Sequence, residues 1–220
     1  MDINSPLSND NRNYDYTAYA EEYRREYGVI LSLIPAGAKV VDLACGNGSL
    51  LKILRDNKNT KGCGVELSNS GVAASLHKGL QITRGRIDDK LPFLDKEFDY
   101  AICNVTIQMV MYPEILLQEM KRIASRLIIS FPNFGFYRNR IDLLLYGRMP
   151  KPMMFGYSWY STGHIHQLSI ADFMELVEQV GNLKIEQHIC ADSTAGIKRS
   201  LQELFPNLFQ LLPVFLLTST

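Results

Sequence analysis

Residues 40–48 read VVDLACGNG, a carboxylate followed within six residues by two glycines, and this is the most chemically informative run in the chain. Val40 and Val41 read as the end of a buried strand and Asp42 as its carboxyl tip. Ala44, Cys45, Gly46 and Gly48 follow as a tight turn into a helix opened by Leu50 and Leu51. Strand, glycine turn and helix in that order make a nucleotide loop. Two familiar loops are excluded by residue identity: there is no GxxxxGK[ST] phosphate cradle, and Leu51 stands where a dinucleotide fingerprint needs its third glycine. Asp42 decides among what remains. A carboxylate repels a pyrophosphate, but it holds the sulfonium and ammonium groups of S-adenosylmethionine (SAM). SAM, or its demethylated product S-adenosylhomocysteine (SAH), is the expected cofactor.

Glu66 ends a second strand-like run twenty-four residues later, with Leu67 behind it. On a doubly wound sheet the tips of strands one and two are neighbours, so Glu66 can accept hydrogen bonds from both ribose hydroxyls. The third unit, Arg84-Gly85-Arg86-Ile87-Asp88-Asp89, reaches the adenine. There Ile87 offers a backbone amide and an apolar side, and Asp88 an acceptor. Arg86 stands where many SAM enzymes carry Asp; it stacks on the ring, pairs with a neighbouring acid, or is a plain surface residue. Asn104 and Gln108 follow the fourth strand, as hydrogen-bonding groups near the methionine moiety or as helix caps. No NPPY-type tetrapeptide is present, which argues against methylation of exocyclic base amines. Displacement at a sulfonium methyl needs an aligned nucleophile above all, so a weak base suffices. The catalytic candidates are His164, His166 and Tyr160, with a structural role for the histidines as the competing reading. Two histidines separated by one residue have no third ligand nearby, and no metal is expected.

For these residues to meet, strands must end where the acids stand. Strands are expected at Lys39–Leu43, 62–67, 80–84, 98–103, 126–131, 184–190 and 211–218. Helices are expected at 49–56 with Ser49 as cap, 68–78, Pro113–Ile123 with Pro in the first turn, and 169–180. This alternation predicts an α/β fold, a parallel sheet with helices on both faces and its ligand site at the carboxyl ends of the strands. Ahead of it, residues 1–13 are polar and expected to be mobile. Tyr16, Tyr19, Tyr23 and Tyr27 recur at helical spacing and predict a helix over 14–34, stopped by Ile34-Pro35-Ala36-Gly37. The division is therefore 1–36, an N-terminal segment with a Tyr-rich helix in the same domain, and 37–220, the SAM-binding domain. Residues 133–167 interrupt the rhythm with prolines, glycines and many aromatics. Arg138, Arg140, Arg148 and Lys151 there outnumber the single acid Asp142. Such an insertion is a lid or partner surface, or aromatic padding over the core.

Composition narrows the partners. The 220 residues suit one domain with a sizeable core, at 46% hydrophobic and 21% charged content. Twenty-three basic residues balance twenty-three acidic ones, so no global field draws nucleic acid or an anionic membrane. Cys45, Cys63, Cys103 and Cys190 lack metal-ligand spacing, and no signal peptide opens the chain. They read as reduced thiols of a cytoplasmic protein. No apolar run reaches the roughly 18–20 residues of a membrane span, since Pro206, Asn207, Gln210 and Pro213 interrupt 204–217.

Several longer motifs carry a resemblance. VDLACGNGSLLKILRD, GCGVELSNSGV and FDYAICNVTIQMV are widespread among SAM enzymes, whereas IISFPNFGFYRNRIDLLLYGRMP, WYSTGHIHQLSIADF and FPNLFQLLPVFLL are far more specific. With them the chain resembles the methionine-biosynthesis protein W family (MetW), within the class I SAM-dependent methyltransferase superfamily. The resemblance implies a Rossmann-like methyltransferase fold, a mostly parallel seven-stranded sheet with helices on both faces and a final antiparallel strand. It also implies a role in methionine synthesis, in a family whose members support a homoserine O-acyltransferase. By position Asp42, Gly46, Gly48 and Glu66 match the SAM pattern, Ala44 replaces its first glycine, Arg86 replaces an Asp, and the Tyr-rich segment is an addition. Two functions are expected: methylation of a small molecule in methionine biosynthesis, or a non-catalytic SAM-binding partner or regulator of the acyltransferase.

Overall fold

A computed structural model describes residues 16, 23–150, 159, 163–192 and 196–219. Its strands are β1 (Lys39–Leu43), β2 (Lys61–Glu66), β3 (Gln81–Arg84), β4 (Phe98–Asn104), β5 (Ala124–Ser130), β6 (Leu183–Cys190) and β7 (Pro213–Ser219). They form one sheet in the order β3-β2-β1-β4-β5-β7-β6. Neighbours from β3 to β5 are parallel, and β7 runs antiparallel to both β5 and β6. The expected fold class is observed. The last strand inserts between β5 and β6 instead of extending the edge, and the strand order reverses between β1 and β4, which is where such sheets bind ligands.

Two apolar layers sandwich the sheet because alternate residues of each strand face opposite sides. Val41, Leu43, Ala101, Cys103, Leu127 and Ile129 share a cluster with residues of α4 (Pro113–Ile123) and α6 (Ile170–Val180). In α4 the buried positions Leu116, Leu117, Met120 and Ile123 recur at the three-to-four spacing of one helix face. Val40, Tyr100, Ile102 and Ile128 face the other way, onto α1 (Arg25–Leu33) and α2 (Ser49–Lys58). The remaining helices are α3 (Asn69–His77), α5 (Tyr137–Tyr146), α7 (Ile197–Leu204) and the short α8 (Pro206–Phe209).

Several expectations need correction. Of the helix expected over 14–34, the described residues show α1 from Arg25: Tyr16 is not helical, Arg24 is extended (φ −95°, ψ 150°), Tyr23 is 66% exposed, and 14, 15 and 17–22 lie outside the described residues. Tyrosine spacing alone does not nucleate a helix. Burial does, and it starts with Glu26, Tyr27 and Ile30, where α1 packs on α2 and β7. Ser49 is not the cap of α2 but its first residue. Gly48 holds the cap position in a left-handed conformation, and Asn47 Oδ1 accepts from the Ser49 amide at 3.1 Å. The interrupting segment contains a helix, α5, and two more, α7 and α8, precede β7.

The FPNFG motif has a structural job. Asn133, fully buried, donates from Nδ2 to the carbonyls of Asn207 (3.0 Å) and Gln210 (2.7 Å). Its Oδ1 accepts from the amides of Gly135 (2.9 Å) and Ile170 (3.3 Å). One side chain thus ties the exit of β5 to the starts of α6 and β7. Asn133→Ala strands several buried groups, and the expected cost is about 3 kcal/mol, or a drop of roughly 6–12 °C in Tm, measurable by calorimetry. A loss under 1 kcal/mol contradicts the assignment.

Candidate cofactor-binding site

The pleat that divides the core also builds the site. Two residues beyond Gly64, Val40, Ile102 and Ile128, the same sheet face presents Glu66, Asp42, Asn104 and Ser130 at the carboxyl ends of β2, β1, β4 and β5. A polar row therefore crosses the sheet where the apolar layer stops. Ser130 Oγ donates to Asn104 Oδ1 at 2.6 Å, and Asn104 Nδ2 donates to Glu26 Oε1 of α1 at 3.2 Å. Both strand exits flanking the order reversal carry non-glycine residues in the left-handed region, Ala44 (φ 62°) and Val105 (φ 53°). Such strain, about 1–2 kcal/mol per residue, persists only where neighbours enforce it. At Val105 the enforcement is the Ser130 hydroxyl and carbonyl, each accepting from its amide at 3.0 Å.

The loop after β1 is held by Glu66. Its Oε2 accepts from the Gly46 amide and its Oε1 from the Ser68 amide, both at 2.8 Å. Two backbone donors fix the carboxylate plane and leave each oxygen a lone pair for a further donor, the geometry a ribose diol needs. Gly48 (φ 72°) has no room for a side chain, since a Cβ there would stand 2.4 Å from Leu80 Cδ1 and 2.7 Å from Ser75 Oγ. Asp42 differs from Glu66. It is 3% exposed and, among the described residues, accepts no hydrogen bond. Burial, and next the Glu66 charge, push its carboxyl up to about 8, against the pull of the Arg24 guanidinium. A buried carboxyl without a donor is a site prepared for a cation. Burial, then the Asp42 charge, also raise the Cys45 and Cys103 thiols far above the ordinary range, so neither is a nucleophile.

At the β3 end Arg86 pairs with a neighbouring acid. Its Nη2 lies 2.7 Å from Asp88 Oδ2, which also accepts from the amides of Met111 (2.8 Å) and Tyr112 (3.3 Å). A cleft runs beside these groups. Of the expected residues, Ala44, Glu66, Leu67, Arg86, Ile87 and Asp88 line it; Asp42, Cys45, Gly46, Gly48 and Asn104 do not, though Gly46 orients Glu66. Gly163 and Ile165 close one side, held where the Ile165 and His166 amides donate to the Gln108 carbonyl at 3.0 Å. Neither His164 nor His166 lines the cleft. His164 Nε2 lies 3.4 Å from the buried Gln108 Nε2, and burial lowers its basicity. Tyr160 lies outside the described residues.

Sequence reasoning missed Tyr16 as a cleft residue and Glu26 as the partner of Asn104. Tyr16 lines the cleft, its ring carbon Cε1 standing 3.1 Å from where a Gly46 Cβ would be. Glu26 carried a readable signal, a charge on the buried stripe of its own helix.

With that geometry in hand, comparison with known proteins is informative. A family model described as methionine biosynthesis protein MetW matches residues 24–217. The chain belongs to the MetW family. A bifunctional methionine biosynthesis protein MetXA/MetW of Rhodopirellula baltica (strain DSM 10527 / NCIMB 13988 / SH1) is 37% identical over 177 residues. The match covers 76% of this chain and 28% of that relative, so this MetW-family chain spans under a third of its length. Among solved structures, a chain of the complex between the Haloferax volcanii Trm112 methyltransferase activator and a methyltransferase superposes with a TM-score of 0.64. It is 18% identical, with 89% of each chain covered. Geranyl diphosphate C-methyltransferase of Streptomyces coelicolor A3(2), solved with Mg2+, geranyl diphosphate and SAH, also gives 0.64. It is 13% identical, with 89% of this chain and 78% of that one covered. At such identities these likenesses show the methyltransferase fold, and the family ties the chain to methionine biosynthesis.

Proposed function

We propose that this MetW-family chain binds SAM and transfers its methyl group to a small molecule in methionine biosynthesis. The observation that carries the reading is the pair of acids at neighbouring strand tips. Glu66 is fixed by two amides with lone pairs to spare, and Asp42 is buried and accepts no hydrogen bond from the described residues. When bound, SAM supplies an electrophilic methyl carbon on a cationic sulfur. The residues then do three things: Glu66 holds the ribose, Asp42 neutralises the positive charge, and Ala44, Thr106 and Ile165 form walls that align an incoming nucleophile. The acceptor's lone pair takes the methyl group, the carbon–sulfur bond returns its electrons to sulfur, and the acceptor's proton leaves to solvent. Titration calorimetry of the full chain with SAM and SAH is the test. Micromolar binding is expected, and no heat at several hundred micromolar ligand refutes the reading.

A second reading, a SAM-binding partner or regulator of a homoserine O-acyltransferase, is favoured by two observations. A relative carries MetXA and MetW in one chain, and α5 exposes Ile141, Leu144, Leu145 and Tyr146, with Leu144 83% open. Co-purification with the acyltransferase supports this reading when Leu144→Asp abolishes it, and counts against this face when the variant binds equally well.

A further inference from the structure

Glu26 is the buried charge that neither the sheet nor the loops account for. It precedes Ile30 by one helical turn, on the stripe with which α1 docks to the sheet, and it is only 4% exposed. A carboxylate at such a position loses its water and needs donors in return. Among the described residues its only hydrogen bond comes from a neutral amide, Asn104 Nδ2 at 3.2 Å. Asn104 is oriented for this by Ser130, whose hydroxyl occupies its Oδ1 at 2.6 Å. Asp42 shares the sheet face of Asn104 on the adjacent strand and is buried as well. The arrangement is two buried acids on neighbouring elements, with Arg24 the cation acting on Asp42.

The site's other groups say which part of a ligand falls here. Arg86 and Asp88 stand at the exit of β3 and Glu66 at the tip of β2, the base and ribose positions of the proposed cofactor. Continuing along the carboxyl edge, β1 and β4 come next. Three strand spacings separate β3 from β4, roughly 14 Å, enough for a nucleoside followed by a short aliphatic tail. The cleft reaches Ala44 and Thr106, each two residues beyond Asp42 and Asn104. Its inner end therefore lies a short loop away from Asp42 and from Asn104, the residue that bonds Glu26.

We propose that Glu26 is a binding residue for the ammonium group of the cofactor's amino-acid tail, reaching the site from α1 and working beside Asp42. The assignment rests on the SAM reading and extends it to a residue outside the sheet and its loops. Ammonium donors complete the hydrogen bonding that Asn104 begins, and they bring a positive charge to a buried carboxylate.

The test is titration calorimetry of the full chain with SAH and with 5′-methylthioadenosine, which keeps the nucleoside and thioether but lacks the amino-acid tail. Glu26→Gln retains the oxygen that accepts from Asn104. The variant is expected to lose tenfold or more in SAH affinity while its affinity for 5′-methylthioadenosine stays within twofold of wild type. Equal losses for both ligands reduce Glu26 to a structural role and overturn the proposal, as does unchanged SAH affinity. Failure of the wild-type chain to bind either ligand removes the SAM reading itself. If the variant does not fold, wild type against deaminated SAH decides: a tenfold weaker affinity than for SAH supports the proposal, and one within twofold overturns it.

Discussion

Asp42→Asn is expected to make the ligand-free protein more stable at pH 8 while crippling cofactor binding. In the folded chain the Asp42 carboxyl is pushed up to about 8 from an ordinary value of 3.8. Between those values the folded state holds a proton that the unfolded state has released, so stability falls as pH rises, by up to about 1.4 kcal/mol per pH unit from this group. The stabilising proton is fully in place below pH 3.8 and gone above pH 8. Several groups face Asp42: Glu66 on β2, Arg24 ahead of α1, and the thiols of Cys45 and Cys103, whose own values Asp42 raises. Asn carries no such proton. The variant should therefore match wild type near pH 4 and exceed it by about 4–8 °C in Tm near pH 8, a gain of roughly 2 kcal/mol after local relaxation. Wild-type affinity for SAM should rise with pH toward 8, with proton release visible as a buffer-dependent heat. The variant should show neither, and should bind SAM tens of times more weakly. Parallel pH–stability curves for the two proteins contradict this account.

Glu66→Gln is expected to lower SAM affinity by about 100-fold or more, since two charge-assisted hydrogen bonds, each worth roughly 1.5–3 kcal/mol, are at stake. The loss has two sources. A glutamine amide turns a donor toward either the Gly46 or the Ser68 amide, both of which the carboxylate accepts at 2.8 Å. It also offers one acceptor oxygen to a diol that uses two. The helical and strand content by circular dichroism should not change, because Glu66 bonds the loops beyond the strand tips and no core residue. An affinity within threefold of wild type places the ribose elsewhere.

These two acids were legible in the one-dimensional pattern because each ends an apolar strand-like run, and a strand's tip can be located from local composition. The strands themselves were legible for the same reason, and β1 was expected with the observed bounds. Helix starts were less readable. The tyrosine repeat at 16, 19, 23 and 27 has helical spacing, yet Tyr16 and Tyr23 are not helical and α1 begins at Arg25, where the chain lies on α2 and β7. Arg86 was one of several possibilities until its guanidinium was seen against Asp88, and the Asp88 carboxylate proved to pin the Met111–Tyr112 turn as well. The position of the histidines relative to the cleft was not legible either. His164 and His166 have the right chemistry for a base, but Gly163 and Ile165 take the places on the cleft wall.

By itself the sequence determined the fold class, the acids at the tips of β1 and β2, and the loop that needs Gly48, since all of these depend on neighbours within a few residues. Only the tertiary structure decided which residues share a face. The sheet's pleat and its order β3-β2-β1-β4-β5-β7-β6 align Glu66, Asp42, Asn104 and Ser130, which lie up to eighty-eight residues apart, and set Glu26 of α1 against Asn104. Local periodicity says which side of its own element a residue takes. The partner across that side is chosen by strand order and helix docking, which burial of the whole core settles at once.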